Sequence, residues 1–219
     1  MKAILPPAAD EPAGKQIDYV AKRLAQLLKP HAFTRTSRRF NRLLTSGGVI
    51  DAAQSFNLQG SQGNFGSTGR FCINLGVWFE PLADAMKQMG RWQTSKAPET
   101  LAPHEGHLNL RVHKIVPAVR EAWWPAELVP DRDSWFPVGP EHELVPLADA
   151  VVRVVETYVL PWFAARGSIE AVALGLSPAG EDDRAIALGA LSRGAEARAF
   201  YATCSKRKPD VEAWLARLP

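Results

Sequence analysis

Apolar positions recur along the chain at two spacings, and the change between them separates its parts. From Lys15 to Pro30, Ile17, Val20, Ala21, Leu24, Leu27 and Leu28 form one stripe at helical spacing. The stripe predicts an amphipathic helix starting near Lys15 and ending at Pro30, because the residue before a proline is driven out of the helical region. Beyond it the period falls to two. Residues 36–45 read as a first strand and Gly47-Gly48 as a turn. In residues 49–59, Ile50, Ala52, Phe56 and Leu58 share one parity, and Asp51, Ser55, Asn57 and Gln59 share the other. In residues 70–79, Phe71, Ile73, Leu75, Val77 and Phe79 oppose Arg70, Cys72, Asn74 and Trp78. In residues 107–113, Leu108, Leu110 and Val112 oppose His107, Asn109, Arg111 and His113. Such alternation predicts an antiparallel sheet with one buried and one wet face. Leu82, Ala83, Met86 and Met89 predict a short helix, followed by a polar loop over 91–105.

The second half changes character. Residues 121–146 read as an acidic connector anchored by Trp123, Trp124 and Trp135. Residues 147–165 read as a long helix that Pro161 should end or kink. Ser168 suits the N-cap of a short helix. After the break at Ser177-Pro178-Ala179-Gly180, residues 183–204 read as a helical hairpin split at Gly194, and a last helix runs from about Pro209 to Leu218. The pattern predicts an α+β fold: an antiparallel sheet of about four strands, helices on one face, and a C-terminal helical appendage. Residues 1–15 are expected as a flexible leader, 16–176 as the α+β domain and 181–219 as the appendage.

Composition narrows the function classes. The 219 residues carry 26 Lys and Arg against 23 Asp and Glu, a net charge of +3, which demands no polyelectrolyte partner. Two cysteines, Cys72 and Cys204, exclude a disulfide scaffold and a four-thiolate zinc site. No apolar run is long enough for a transmembrane helix, and Pro6, Pro7 and Asp10 interrupt any signal-peptide core. The expected location is cytoplasmic, with no membrane partner.

Several local patterns together resemble a known family. They are Leu27-Leu28-Lys29-Pro30 then Phe33, a basic strand with Phe40, Asn57-Leu58-Gln59, and Arg70-Phe71-Cys72-Ile73-Asn74-Leu75-Gly76-Val77. Further on come His107-Leu108-Asn109-Leu110-Arg111, Asp133-Ser134-Trp135 and Leu160-Pro161-Trp162. Over roughly residues 16–165 the chain is similar to the bacterial domain of unknown function 4304. Members often carry a basic residue after the strand-ending Gln, where this chain has Gly60. The resemblance implies an α+β fold and a bacterial cytosolic protein. It carries over no activity and no catalytic residues. By analogy with other small domains of this kind, whose gene neighbourhoods include toxin–immunity loci, it suggests an immunity role.

Candidate chemistry is sparse. His104, Glu105, His107 and His113 have metal-ligating side chains, but in a strand His107 and His113 stand about 20 Å apart. Only His104 and His107 could share a metal, across a bent loop, and the group equally suits the start and outer face of a strand. The glycine-rich stretch 60–69 lacks a P-loop's Gly-Lys-Ser/Thr ending and precedes a strand, so it reads as a long, mobile loop. Cys72 with His107 or His113 is the only candidate nucleophile dyad, and no catalytic set, metal site or cofactor is assigned. Arg35, Arg38, Arg39 and Arg42 form a basic cluster that could meet phosphates, or simply guard an edge strand. The wet sheet face collects Asn57, Gln59, Arg70, Asn74, Trp78, Asn109, Arg111 and His113, an amide- and arginine-rich set suited to binding. The leading expectation is a non-enzymatic protein-binding domain, of immunity or adaptor type, using that face. The alternatives are a nucleic-acid-binding module on the basic strand and a metal-dependent hydrolase around His104 and His107.

Overall fold

A computed structural model describes residues 4–91 and 96–219 of the chain. Helix α1 (Ala13–Leu28) opens the ordered elements, two residues before the predicted start. Its stripe is the reason it docks: Ile17, Val20, Ala21, Leu24 and Leu28 are all fully buried. Residues 9–12, just ahead of α1, are held by hydrogen bonds. The Gln16 amide donates to the carbonyls of Ala9, Glu11 and Ser67 at 3.2, 2.8 and 2.9 Å, and the Ala13 N–H donates to Gly66 O at 2.9 Å.

Among the described residues the sheet has six antiparallel strands, two more than the alternation predicts. They are β1 (Thr34–Thr36), β2 (Arg39–Ser46), β3 (Val49–Gly60), β4 (Gly69–Phe79), β5 (Leu108–Arg111) and β6 (Phe136–Val138). The order is β1-β2-β3-β4-β5, with β6 pairing the start of β4. The additions are three-residue edge pieces, too short to show a period. β2 is the strand read at 36–45, and β1 precedes it across a turn at Ser37 with φ of 57°. The loop between β3 and β4 is closed by mutual Phe65–Thr68 backbone bonds at 3.0 and 3.1 Å, and by the Asn64 side chain on the backbone of Arg70 at 2.9 and 3.1 Å.

Helix α1, α3 (Leu144–Val154) and α4 (Leu160–Arg166) cover one face. There Phe56, Leu58, Phe71, Ile73, Leu75, Val77 and Phe79 share a core with the helices. Pro161 does not end the long helix. A wide turn over Val155–Val159 joins α3 to α4 directly before the proline, which relieves the clash of its ring with the preceding turn. Ser168 caps α5 (Ile169–Ala173) as expected, its hydroxyl accepting the Ala171 N–H at 3.1 Å.

The C-terminal helices α6 (Glu181–Ala190), α7 (Gly194–Ala202) and α8 (Pro209–Ala216) pack against α5 and α2 (Glu80–Gln88), away from the polar sheet face. Their Ile186, Leu188, Tyr201 and Trp214 run on into the main core. Arg91 clamps them to the sheet domain through a bidentate pair with Asp210 and a 3.6 Å contact to Asp182. No helix among the described residues is long and apolar enough to cross a membrane.

Candidate functional site

Cross-strand register decides which side chains share the second face of the sheet. Asn57 lies opposite Asn74, Gln59 opposite Cys72, Asn74 opposite Arg111, and Gly76 opposite Asn109. Asn57, Gln59, Asn74, Asn109 and Arg111 therefore converge, as the alternation predicts. With Leu75, Leu110, Pro103 and His104 they line a cleft of about 190 Å³.

The upper wall of this cleft was not visible in the sequence. The segment 98–105, expected as a polar loop, forms two short 3-10 turns, Pro98–Thr100 and Pro103–Glu105, laid across the sheet face as a strap. It lies so close that a Cβ on Gly76 would sit 2.3 Å from Pro103 O and 2.5 Å from its Cα. Glycine is required there by contact with backbone, which no rotamer change relieves. The Arg39 guanidinium donates to Thr100 O at 2.8 Å, and the Asn41 amide donates to Glu99 O. Glu105 accepts from the Ala102 N–H at 2.7 Å and pairs with Lys96, which holds its carboxyl below the usual range.

The strap corrects two expected positions. Trp78 is not on the wet face: it is 5 % exposed, packed with Ala53, Ala83 and Leu101 in a small second core. His113 has left the sheet for a 3-10 turn, Val112–Lys114, that follows β5, and it is 5 % exposed. Burial pushes its imidazole below the usual range, and Lys114 adds to the effect. Arg70 is exposed at the far end of the face, its guanidinium 5.0 Å from the Trp135 ring centre. Arg111 lies over the same ring at 5.3 Å and pairs with Asp133.

Within the cleft the hydrogen bonds run in one direction. The Cys72 thiol donates to Asn74 Oδ1 at 3.7 Å, and Asn74 Nδ2 donates to Asn57 Oδ1 at 3.0 Å and Gln59 Oε1 at 2.6 Å. With those oxygens accepting from Asn74, the Asn57 and Gln59 amide N–H groups make no hydrogen bond among the described residues. Burial pushes the Cys72 thiol up, so it stays protonated and acts as a donor, the opposite of what a nucleophile needs. Together with Arg111, which also pairs with Asp133, the two amides supply donors at the cleft.

The other candidates separate. Arg38 pairs with Asp18 at 2.6 Å and donates to Gly14 O, and Arg39 holds the strap. Arg42 donates to Gln54 and His31 O over the Phe33 ring, and Arg35 donates to Ser37 O at 2.6 Å. Each of the four arginines makes a hydrogen bond within the fold, and among the described residues only Arg38 pairs with an acid. His107 Nδ1 accepts the Phe79 N–H at 2.9 Å, and burial pushes the ring down to about 4. His104 is exposed on the strap. Among the described residues no group of three or more His, Cys, Asp or Glu gathers as a metal would need.

The family model for the domain of unknown function DUF4304 matches residues 24–165. The chain belongs to this family. The matched segment holds every residue of the cleft. No curated protein and no solved structure matches the chain.

Proposed function

We propose that this DUF4304 chain is a protein-binding domain, of immunity or adaptor type in a bacterial cell, whose contact surface is the polar sheet face. The observation that supports it is the donor-rich cleft. Asn57 and Gln59 N–H groups, Asn109 and Arg111 converge on a preformed concave site that a carbonyl- or carboxylate-bearing segment of a partner would satisfy. Asn74 and Cys72 act as positioning residues, fixing which way the amides point. Trp135, under both Arg70 and Arg111, fits the same reading as an aromatic anchor at the rim.

The test has two steps. The tagged chain is captured from its own host, and the affinity of the co-eluting protein is measured for Arg111→Ala and Asn57→Leu. Both should weaken binding at least tenfold while leaving the melting temperature near that of the parent, because Asn57 is only half-buried and Asp133, left behind by Arg111, is exposed. Unchanged affinity in both overturns the reading. So does recovery of nuclease-sensitive material in place of a protein.

A further inference from the structure

β5 ends the sheet, and among the described residues no strand pairs with its outer edge. An antiparallel strand directs half of its N–H and C=O groups to each side, so alternate residues of β5 present backbone groups away from β4. That edge does not face open solvent. It forms one wall of a second groove, of about 380 Å³, which shares Asn109 and Leu110 with the cleft. Leu110 and Ile115 line the near side, and Trp162, Leu176 and Pro178 the far side. Leu176 is 55 % exposed. The two charged side chains in the groove are both cations, Lys114 and Arg166. Lys114 has only a loose 3.7 Å contact with exposed Asp131, and no acid among the described residues pairs with Arg166.

We infer that this groove receives an extended acidic segment of a partner protein, which adds to the sheet as a strand beside β5. The inference deepens the protein-binding reading and rests on it. A strand seated about 4.8 Å from β5 would turn alternate side chains onto Trp162, Leu176 and Pro178. The other set would face the cleft beside Asn109 and Arg111. The partner segment thus alternates apolar and acidic residues, the acids of the cleft-facing set meeting Arg111 and flanking acids meeting Lys114 and Arg166. Charge argues against a second copy of this chain as the occupant. Pairing β5 with itself would bring a second Arg111 and Lys114 beside the first two, where Arg111 already uses Asp133 and Lys114 has only a loose 3.7 Å contact with Asp131.

A displayed library of random peptides, selected on the purified full chain, tests the inference. Alternating apolar–acidic sequences should be enriched. The double variant K114E/R166E, which alters two exposed side chains and leaves the core untouched, should shift enrichment to basic sequences. In a selected peptide, N-methylation at one set of alternate residues should lower affinity at least tenfold, and at the other set should not, because only one set donates to β5. Enrichment indifferent to K114E/R166E, or loss without parity on N-methylation, overturns the edge site. If selected peptides lose affinity on Arg111→Ala and Asn57→Leu but not on K114E/R166E, the sheet-face reading stands and the edge inference falls. If no variant of either group changes binding, both fall. Concentration-dependent dimerisation abolished by K114E/R166E would replace the acidic partner with a second copy and overturn the inference.

Discussion

Replacing Trp78 separates a solvated sheet face from a strapped one. The side chain is 5 % exposed, and a buried tryptophan removes about 200 Å² from water. At about 25 cal/mol per Å² that is roughly 5 kcal/mol of transfer free energy. Against it stands the indole N–H, buried without a hydrogen-bond partner, which costs about 1–3 kcal/mol. Trp78→Ala should therefore destabilise by about 2–4 kcal/mol. Trp78→Phe keeps most of the apolar area and removes the orphaned donor, so it should fall within about 1 kcal/mol of the parent. Urea unfolding of the three proteins, followed by far-ultraviolet circular dichroism, gives both differences from midpoint and slope. An exposed tryptophan would leave both variants within about 0.5 kcal/mol. If Trp78→Ala costs less than about 1 kcal/mol, the strap does not seal this side of the sheet and the reasoning fails.

Two further outcomes follow from buried polar groups. Gln54 is 1 % exposed and bridges Arg42 to the Phe163 and Gly167 carbonyls at the end of α4, so Gln54→Leu should cost about 2–4 kcal/mol in the same assay and raise amide exchange in residues 160–167. His107 titrates near 4 when folded and near 6.5 when unfolded, so the unfolded chain binds the extra proton. Its contribution is whole above about pH 6.5 and is lost as pH falls toward 4, by at most about 3 kcal/mol. His107→Asn should flatten the stability profile between those values, and an unchanged slope there would contradict the burial of the ring.

What the sequence shows and what it hides differ for physical reasons. Alternation located β3 and β4 to within a residue and placed Asn57, Gln59, Asn74, Asn109 and Arg111 on one face, because a period of two is fixed by backbone geometry. Alternation says nothing of what else lies on that face. The strap is held by backbone carbonyls that accept from Arg39 and Asn41, and any sequence supplies carbonyls. The one local hint was Gly76 inside an otherwise bulky strand, a residue type that marks close backbone approach. Gln54 shows the converse. It lies on the core parity as a polar residue, and only the distant end of α4 explains it. The arginine cluster reads as one patch in sequence, and the fold gives its members different partners. Arg38 turns to Asp18 on α1, Arg39 to the strap and Arg42 to Gln54.

The strap also decides what kind of surface the sheet can offer. A bare face of amides and arginines is flat and fully hydrated, so a partner gains little by displacing its water. Laying Pro103 against Gly76 encloses one side of Asn57, Asn74 and Arg111, and the thiol of Cys72 fixes the amide orientation before any partner arrives. Donors held in place lose less freedom on binding than donors on a mobile surface. The cleft so formed lies wholly within residues 24–165, whereas Arg166, Leu176 and Pro178, the ledge over the β5 edge, lie outside that matched segment. Under the proposed reading, the ledge, built by the part of this chain that the family model does not reach, would add selectivity at the edge of β5 to what the cleft supplies.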